Sequence, residues 1–289
     1  MTLLPYNRLR SSAQRQVYLV SLKGEKTTVI ISIVTPTLNA ERYLAQCIDS
    51  VRSNASGGIE PEHVIVDGGS TDQTTEIARA KGVRLIEGKD SGIFDAINKG
   101  SFASSGELLG FLGADDLLLD GALQALVNAY RQGQPRWLSG SFRWIDKDGT
   151  HMMWRSAPPT WLGLQVYASL GWSSMAHMST YLTRDLFEEL GGFNIAFKLA
   201  GDYELFARAW SRCAFRRIRR PLAAFRFTET NYSFVHEARK VDECNAIAES
   251  FAPKSSRQRK LYRMALRNWM RADKLSWRAK EWRARPQAM

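Results

Sequence analysis

The feature of this sequence that most constrains its fold is a regular alternation of strand and helix patterns over the first half of the chain. β-Branched runs such as Val29–Thr35 are typical of strands buried on both faces of a parallel sheet. Each such run is followed by apolar residues at helical spacing. This order predicts an α/β fold with a mostly parallel central sheet flanked by helices. The predicted strands are residues 29–35, 63–67, 83–87 and 108–112, and the predicted helices are 40–53, 70–80, 93–103 and 122–130.

The pattern changes after Pro135. Residues 137–155 alternate around a Lys-Asp-Gly turn signal at 147–149, which predicts a β-hairpin and a smaller β element beside the main sheet. A short strand at 179–183 and a basic, partly stranded segment at 214–227 follow, with helices predicted at 185–190, 202–211 and 235–251. We therefore divide the chain into an N-terminal tail (1–28), two halves of one domain (29–134 and 135–252) and a C-terminal helical tail (253–289).

Most of the positive charge lies in that C-terminal tail. The chain has a net charge of +11, and residues 254–285 contain twelve basic and two acidic residues, which is +10 of that total. The nearly neutral body argues against a nucleic-acid-binding protein. The tail also places Tyr262, Leu266, Trp269, Met270 and Trp277 roughly on one helical face, which predicts contact with an anionic membrane surface. The alternative is a helix docked on the protein with its arginine heads in water.

Cysteine usage and hydropathy bear on the compartment. Three widely spaced cysteines without a CxxC pair argue against a disulfide framework or a zinc site and favour a reducing cytoplasm. No run approaches the ~20 apolar residues that span a bilayer, and the first 26 residues lack the apolar core of a signal peptide. We expect a cytoplasmic protein whose tail can contact the inner face of the cytoplasmic membrane.

The carboxyl ends of the predicted strands carry proline, glycine and carboxylate residues. Ligands of an open parallel sheet bind beyond these ends, where Asp67, Asp90, Asp115 and Asp116 all fall. Neither GxGxxG nor GxxxxGK[ST] occurs, which excludes the usual dinucleotide and P-loop sites. Carboxylates without His or Cys neighbours suit a hard divalent ion, Mn²⁺ or Mg²⁺, that bridges to substrate phosphates. The sequence therefore predicts a metal-assisted nucleotide site at this edge.

Six motifs in order carry a family resemblance. They are Thr35–Asn39, Val66–Asp72, Asp90–Gly100, Gly113–Asp116, Gly191–Asn194 and Ala200–Arg208. Together they resemble family 2 glycosyltransferases of the bacterial surface-polysaccharide type, and the resemblance runs from about Ile31 to Phe227. It implies a GT-A-like fold with a Rossmann-like sheet. It also implies transfer of a sugar from a nucleotide-sugar donor, in the first place a UDP-sugar, to a glycan or lipid-linked acceptor.

The resemblance implies roles on the donor side. Pro36 and Asn39 would shape the loop under the nucleobase, and Asp67 would contact the base. Asp115 would face the ribose, and Asp116 would ligate the metal and through it the diphosphate. Gly113 departs from the many relatives that have a polar residue there, which puts the strength of metal binding in doubt. The remaining residues that would line the donor pocket are Asp90, Asp95, Asn98 and Lys99.

The resemblance also places a catalytic base. Asp202 matches the base of inverting members, which takes a proton from the acceptor hydroxyl as it attacks the anomeric carbon. The metal would stabilise the departing diphosphate, giving a single displacement with inversion. The alternative is that Asp202 only caps the helix that follows it. His177 would contact the acceptor or the diphosphate, and the alternative is a structural histidine.

Two other functions stay open at this point. A nucleotidyltransferase or pyrophosphorylase also places carboxylates at strand ends, although it needs a glycine-rich loop with a basic residue, which residues 35–39 lack. A degenerate protein that binds a nucleotide sugar without transferring it would keep the donor-side residues and not depend on Asp202.

Overall fold

The computed structural model of the protein describes residues 29–169, 171, 173–228 and 231–284. Within them, the strands are β1 (Val29–Thr37), β2 (Ile59–Asp67), β3 (Arg84–Glu87), β4 (Leu108–Phe111), β5 (Leu117–Leu118), β6 (Trp137–Ile145), β7 (His151–Arg155), β8 (Thr180–Thr183) and β9 (Arg216–Arg226). The helices are α1 (Glu41–Arg52), α2 (Thr74–Ala80), α3 (Ile93–Ala103), α4 (Ala122–Arg131), α5 (Gly163–Ala168), α6 (Arg184–Glu189), α7 (Gly201–Arg212), α8 (Tyr232–Val235), α9 (Glu237–Phe251) and α10 (Ser256–Ala284). The N-terminal tail predicted for residues 1–28 lies outside the described residues.

The first half of the chain forms the predicted parallel sheet. Strand β1 pairs in parallel with both β2 and β4, and β2 pairs in parallel with β3. Ile31, Ile33 and Val34 of β1 are fully buried because helices cover both faces of the strand. This arrangement brings the carboxyl ends of β1, β2 and β4 to one edge, as the strand order predicted.

The predicted hairpin of β6 and β7 is present, but it is not a separate sheet. Strand β6 also pairs antiparallel with β8 and in parallel with β9, so one sheet of nine strands runs β3-β2-β1-β4-β8-β6-β9-β5, with β7 on β6. The largest core cluster contains residues of both halves, including Phe94 and Phe111 from the first and Phe187 and Phe193 from the second. The two halves therefore share one core.

Two helix predictions need correction. Helix α2 begins at Thr74 and not at Ser70, because the Ser70 hydroxyl donates to Asp67 and does not cap a helix. The Asp72 carboxylate instead accepts the Thr74 N–H at 3.0 Å and the Glu41 N–H at 3.1 Å. The helix predicted for 235–251 begins at Glu237, because His236, with φ −110° and ψ 38°, separates it from the short helix α8 that ends at Val235.

The apolar face of the C-terminal tail contacts the protein. Leu266 is fully buried against Val166, and the Trp277 ring stacks on Trp154 with centroids 5.2 Å apart. Asp273, which interrupts this face, accepts the Ser156 N–H at 3.1 Å. We expected this face to lie on a membrane. The structure corrects this prediction, because the face packs against β7 and α5 of the protein itself. No helix among the described residues is long and apolar enough to cross a membrane.

Candidate functional site

Asp115 and Asp116 form a tight turn directly after β4. The Asp116 N–H donates to the Gly113 carbonyl at 3.0 Å, and its side chain is only 1% exposed. Asp116 Oδ1 accepts the Arg226 N–H at 2.9 Å, and Asp115 Oδ2 accepts the Asn231 amide at 2.9 Å. One carboxylate oxygen of each aspartate is therefore fixed by the end of β9 and the segment that follows it.

Gly113 leaves the space that the other two carboxylate oxygens face. A Cβ at this position would lie 2.8 Å from Asp116 Oδ2 and 2.9 Å from Asp115 Oδ1. Both distances are shorter than real Cβ contacts, so any side chain here would force the carboxylates apart. The absence of a side chain at Gly113 therefore lets both acidic oxygens lie close to this point, and we call the space between them the cradle.

The two aspartates lie in an environment that disfavours their charges. Burial raises the pKa of Asp115, and burial together with the charge of Asp115 raises the pKa of Asp116 to about 7. The nearby His177 acts in the opposite direction on both groups. Arg226 also lowers the pKa of Asp115, but neither cation overcomes the effect of burial, and a bound metal ion would supply further positive charge.

The residues present fit a divalent ion that also binds substrate. Among the described residues, no group of three or more His, Cys, Asp or Glu side chains could hold an ion by itself. Two carboxylates next to an open cradle suit Mg²⁺ or Mn²⁺, which are often held by one or two carboxylates and complete their shell with water and phosphate oxygens. Asp115 and Asp116 are the residues that would hold it.

Arg226 is a site residue that the sequence did not single out. It is 2% exposed, its Nε donates to the Asp115 carbonyl at 2.8 Å, and its guanidinium lies 4.5 Å from the Tyr43 ring centroid. Its terminal nitrogens donate to the Lys147 carbonyl at 3.1 Å and to Gln46 Oε1 at 3.0 Å. The available signal was an arginine between two aromatic residues at the end of the basic segment 214–227.

His177 lies between the donor-side carboxylates and Asp202. Its Nδ1 is 3.9 Å from Asp202 Oδ2, which is within ion-pair range but too long for a hydrogen bond. Burial alone would lower the pKa of His177, but Asp202, Asp116 and Asp115 together raise it. The second half of the chain thus contributes the imidazole of His177 and the carboxylate of Asp202 to the site.

Asp202 is inside the first turn of α7 and is not its N-cap. The helix begins at Gly201, where a Cβ would lie 2.6 Å from the Phe94 ring, so the helix start packs closely on α3. Asp202 Oδ1 accepts only the adjacent Tyr203 N–H at 2.7 Å among the hydrogen bonds of the described residues. The alternative that Asp202 serves as the helix cap is therefore wrong, since the N-cap position is Ala200.

The loops after β1 and β2 hold each other. The Asp67 carboxylate accepts hydrogen bonds from Thr37 Oγ1, the Gly69 N–H and both the N–H and hydroxyl of Ser70. Burial would raise the pKa of Asp67, but these hydrogen bonds outweigh it and lower the pKa. Asn39 has φ +52° and accepts the Thr71 N–H at 2.9 Å, while Pro36 pairs with Val66 inside the sheet. These contacts shape the loop, and base contact by Asp67 stays a prediction.

Four residues after β3 were predicted to line the donor pocket, and three of them, Asp90, Asp95 and Lys99, lie near the loops at this edge of the sheet. Asp90 lies over the Asp67 loop, since a Cβ on Gly68 would be 2.6 Å from Asp90 Oδ2. Asp95 is 3.0 Å from Lys99, whose ammonium also donates to the Lys89 carbonyl at 2.9 Å. Contact of these three residues with the donor stays a prediction.

Asn98, the fourth of these residues, joins the two halves of the chain. Its amide donates to the Phe193 carbonyl at 2.9 Å and accepts the Phe193 N–H at 2.8 Å. A Cβ on Gly192 would also lie 2.6 Å from Asn98 Oδ1. Both amide groups therefore join α3 to the turn after α6, and contact of Asn98 with the donor stays a prediction.

Comparison with known proteins agrees with this geometry. Residues 32–199 match the family model described as Glycosyl transferase family 2. A PGL/p-HBAD biosynthesis glycosyltransferase of Mycobacterium tuberculosis is 32% identical over 192 residues, which cover 64% of this chain and 71% of the relative. An uncharacterized glycosyltransferase of Bacillus subtilis, EpsJ, is 31% identical over 110 residues, 36% of this chain and 31% of that protein.

Solved structures show the same fold. S. aureus TarS 1–349 in complex with UDP-GlcNAc has a TM-score of 0.59 at 17% identity, covering 81% of this chain and 70% of that chain. The mannosyltransferase PcManGT from Pyrobaculum calidifontis, in complex with GDP-Man and Mn²⁺, has a TM-score of 0.58 at 17% identity, covering 95% and 83%. The predicted GT-A-like α/β fold is confirmed.

Proposed function

Because the chain belongs to glycosyl transferase family 2, we propose that it is an inverting, metal-dependent enzyme acting on a nucleotide-sugar, in the first place a UDP-sugar. The observation that carries this proposal is the placement of His177 between the Asp115–Asp116 cradle and Asp202. The cradle suits the leaving diphosphate, and Asp202 suits the acceptor hydroxyl. Both ends of a displacement reaction therefore meet in one site.

On the donor side, the aspartate pair would hold the cation that offsets the negative charge of the diphosphate. Asp116, whose second oxygen faces the cradle, would be the main metal ligand, and Asp115 would face the ribose while Asn231 fixes its other oxygen. A bound Mn²⁺ or Mg²⁺ supplies Lewis-acid stabilisation of the departing diphosphate. Arg226 keeps the aspartate turn rigid, so that the carboxylates stay aligned without substrate.

On the acceptor side, Asp202 acts as the general base. Its carboxylate removes the proton of the acceptor hydroxyl while the oxygen attacks the anomeric carbon from the face opposite the diphosphate, which gives inversion. His177, whose pKa is raised by three carboxylates, carries positive charge more readily than an ordinary histidine. We assign it to the diphosphate, next to the charge that develops as the bond to the sugar breaks.

The two alternatives fit less well. Membership of a transferase family argues against a nucleotidyltransferase or pyrophosphorylase. A protein that only binds the donor would not need a second carboxylate beside His177, and Asp202 Oδ2 lies 3.9 Å from His177 Nδ1. Catalysis of sugar transfer, with Asp202 as the base, is therefore the function that we propose.

We further propose that the acceptor is a lipid-linked glycan of cell-surface polysaccharide assembly and that α10 brings the enzyme to the membrane. With its inner face buried, α10 still exposes Leu261, Met264 and Leu275 at 52%, 49% and 65%. With 3.6 residues per turn, these three lie within about 60° of one another on the helix. Arg267, Arg271 and Lys274 flank this stripe, as suits an anionic bilayer.

The decisive assay mixes the purified full chain with UDP- and GDP-sugars, with and without Mn²⁺. We expect metal-dependent binding and slow hydrolysis of one UDP-sugar, loss of both in Asp116→Ala, and loss of transfer but not of binding in Asp202→Asn. NMR of the product would show the inverted anomeric configuration. Transfer by Asp202→Asn at the wild-type rate would remove the proposed base, and equal activity after metal chelation would remove the metal.

A further inference from the structure

Helix α7, which carries Asp202, begins without a capping side chain of its own. Its N-cap is Ala200, one of the least favourable residues at that position, and its own side chain makes no capping hydrogen bond. The N–H groups at the start of a helix need partners from elsewhere when the N-cap cannot supply one. The loop into α7 therefore depends on another part of the chain.

The loop before α7 is held by Glu243, on α9, which bonds the N–H groups just ahead of the first helical turn. Its carboxylate accepts three consecutive backbone N–H groups, from Lys198 at 2.9 Å, Leu199 at 2.8 Å and Ala200 at 3.0 Å. The side chain is 12% exposed, and Arg239 one turn earlier lies 3.2 Å from Oε1. Burial would raise the pKa of Glu243, but these hydrogen bonds lower it, so the group is ionised at neutral pH.

The same loop is also tied to the donor half of the protein. The Lys198 ammonium donates to the Ser91 carbonyl at 2.7 Å, just before α3. Gly201 packs on Phe94 so closely that a Cβ would lie 2.6 Å from the ring. The position of Asp202 is thus determined by a short loop that is held between α3 on one side and Glu243 on the other.

We propose that Glu243 is a positioning residue for the reaction, which holds the loop 198–200 so that the Asp202 carboxylate stays beside His177. This inference rests on the proposed role of Asp202 as the base. A carboxylate at the start of α7 also matches the positive end of the helix dipole. Because misplacement of a reacting group by about 1 Å can cost on the order of 100-fold in rate, a loosened loop would slow transfer.

Two features distinguish Glu243 from an ordinary packing residue. It lies 41 positions after Asp202 and outside residues 32–199, which match the family model. Among the described residues, its hydrogen bonds to backbone groups all go to the loop that delivers the base, and none goes to Asp115 or Asp116. Its loss should therefore change the rate of transfer and leave donor binding intact.

The test compares Glu243→Ala and Glu243→Gln with Glu249→Ala, an exposed glutamate on the same helix. We expect Glu243→Ala to lower kcat about 10- to 100-fold, with the KM for the nucleotide sugar within about twofold of wild type. Glu243→Gln, which keeps one acceptor oxygen but loses the charge, should fall between. Glu249→Ala should match wild type.

Hydrogen exchange supplies a readout that does not depend on activity. In Glu243→Ala, the amides of Lys198, Leu199 and Ala200 should exchange faster, while amides in the rest of α7 keep their protection. Wild-type kcat in Glu243→Ala, or unchanged exchange at these amides, would overturn the inference. A joint loss of donor binding and folding would also overturn it. If Asp202→Asn is active, the proposed base fails instead, and the two failures are distinguishable.

Discussion

The carboxylate of Asp116 connects metal binding to pH. Its pKa is raised to about 7 in the protein without an ion, so below that pH the metal must displace a proton. We expect the affinity for Mn²⁺ in the presence of UDP to fall by up to about tenfold per pH unit below 7. Calorimetry in two buffers with different ionisation enthalpies would measure the released proton. An affinity that stays flat between pH 7 and about 5.5 would contradict the assignment of Asp116 as a ligand.

A second buried group, His63, makes stability depend on pH. Its Nε2 lies 2.9 Å from Thr35 Oγ1, and its Nδ1 is buried without a hydrogen-bond partner among the described residues. Burial, with a smaller effect of Arg52, lowers its pKa to about 3. The folded state therefore binds this proton less readily than the unfolded state. Its stabilising contribution is present above pH 6.5 and is lost as the pH falls.

The raised pKa of Asp116 changes the stability in the opposite direction over part of this pH range. The effect of His63 must therefore be measured as a difference in unfolding free energy between wild type and a variant without this histidine. The free energy of unfolding of wild type, relative to His63→Gln, should fall by about 1.4 kcal/mol per pH unit below 6.5. Urea unfolding at a series of pH values would show it. Parallel curves for the two proteins would mean that His63 takes up a proton in the folded state.

At the scale of elements, Arg226 joins the end of β9 to three others. It contacts the turn after β4, the β6–β7 turn and α1, and its side chain is almost fully buried. Arg226→Met would leave the carbonyls of Asp115 and Lys147 without this donor. We expect a loss of about 3 kcal/mol in unfolding free energy and weaker binding of Mn²⁺ with UDP.

The matched control for that change is Arg219→Met, an exposed arginine on the same strand. Urea unfolding and metal titration of both variants separate a local effect from the loss of a positive charge. Equal stability of the two variants would show that Arg226 does not hold the aspartate turn.

The parallel half of the fold was predictable because its signal is local. Each strand from β1 to β4 is a short apolar run, and the helices between them have apolar residues at helical spacing. The pairing of β6 with β9 was not predictable, since Leu138 and Arg216 meet across 78 positions and no local period records that register. The hairpin of β6 and β7 was predicted correctly, but its sequence pattern does not indicate the pairing of β6 with β8 and β9.

The site divides in the same way. Asp67, Asp90, Asp115 and Asp116 follow strands, so strand order alone brought them to one edge. Side chains that act through tertiary contacts could not be found like this. Arg226 and Glu243 bind backbone groups far away in the chain, and the engagement of Asn98 with Phe193 depends on packing between halves.

For the whole molecule, the C-terminal helix α10 is the element through which we propose that the enzyme contacts the membrane. Its inner face is buried, so membrane contact would use the stripe of Leu261, Met264 and Leu275 and the basic residues beside it. We expect the full chain to sediment with phosphatidylcholine vesicles that contain phosphatidylglycerol, and not with phosphatidylcholine alone. Changing Arg267, Arg271 and Lys274 to Gln should weaken binding about 100-fold, at about 1 kcal/mol per basic residue near the surface.

The control for this prediction is a second triple variant, which also loses three positive charges but loses them near β3, away from α10. Arg79, Lys81 and Arg84 lie on or beside α2 and β3, where each forms an ion pair with a carboxylate at the protein surface. Surface ion pairs contribute little to stability. Replacing these three with Gln should leave vesicle binding near wild type, whereas a purely non-specific attraction would weaken both triple variants equally.

The double variant Leu261→Gln with Leu275→Gln tests the apolar part of the proposed membrane contact. Binding that survives in this double variant but disappears in high salt would mean that α10 contacts lipid headgroups without inserting its apolar stripe.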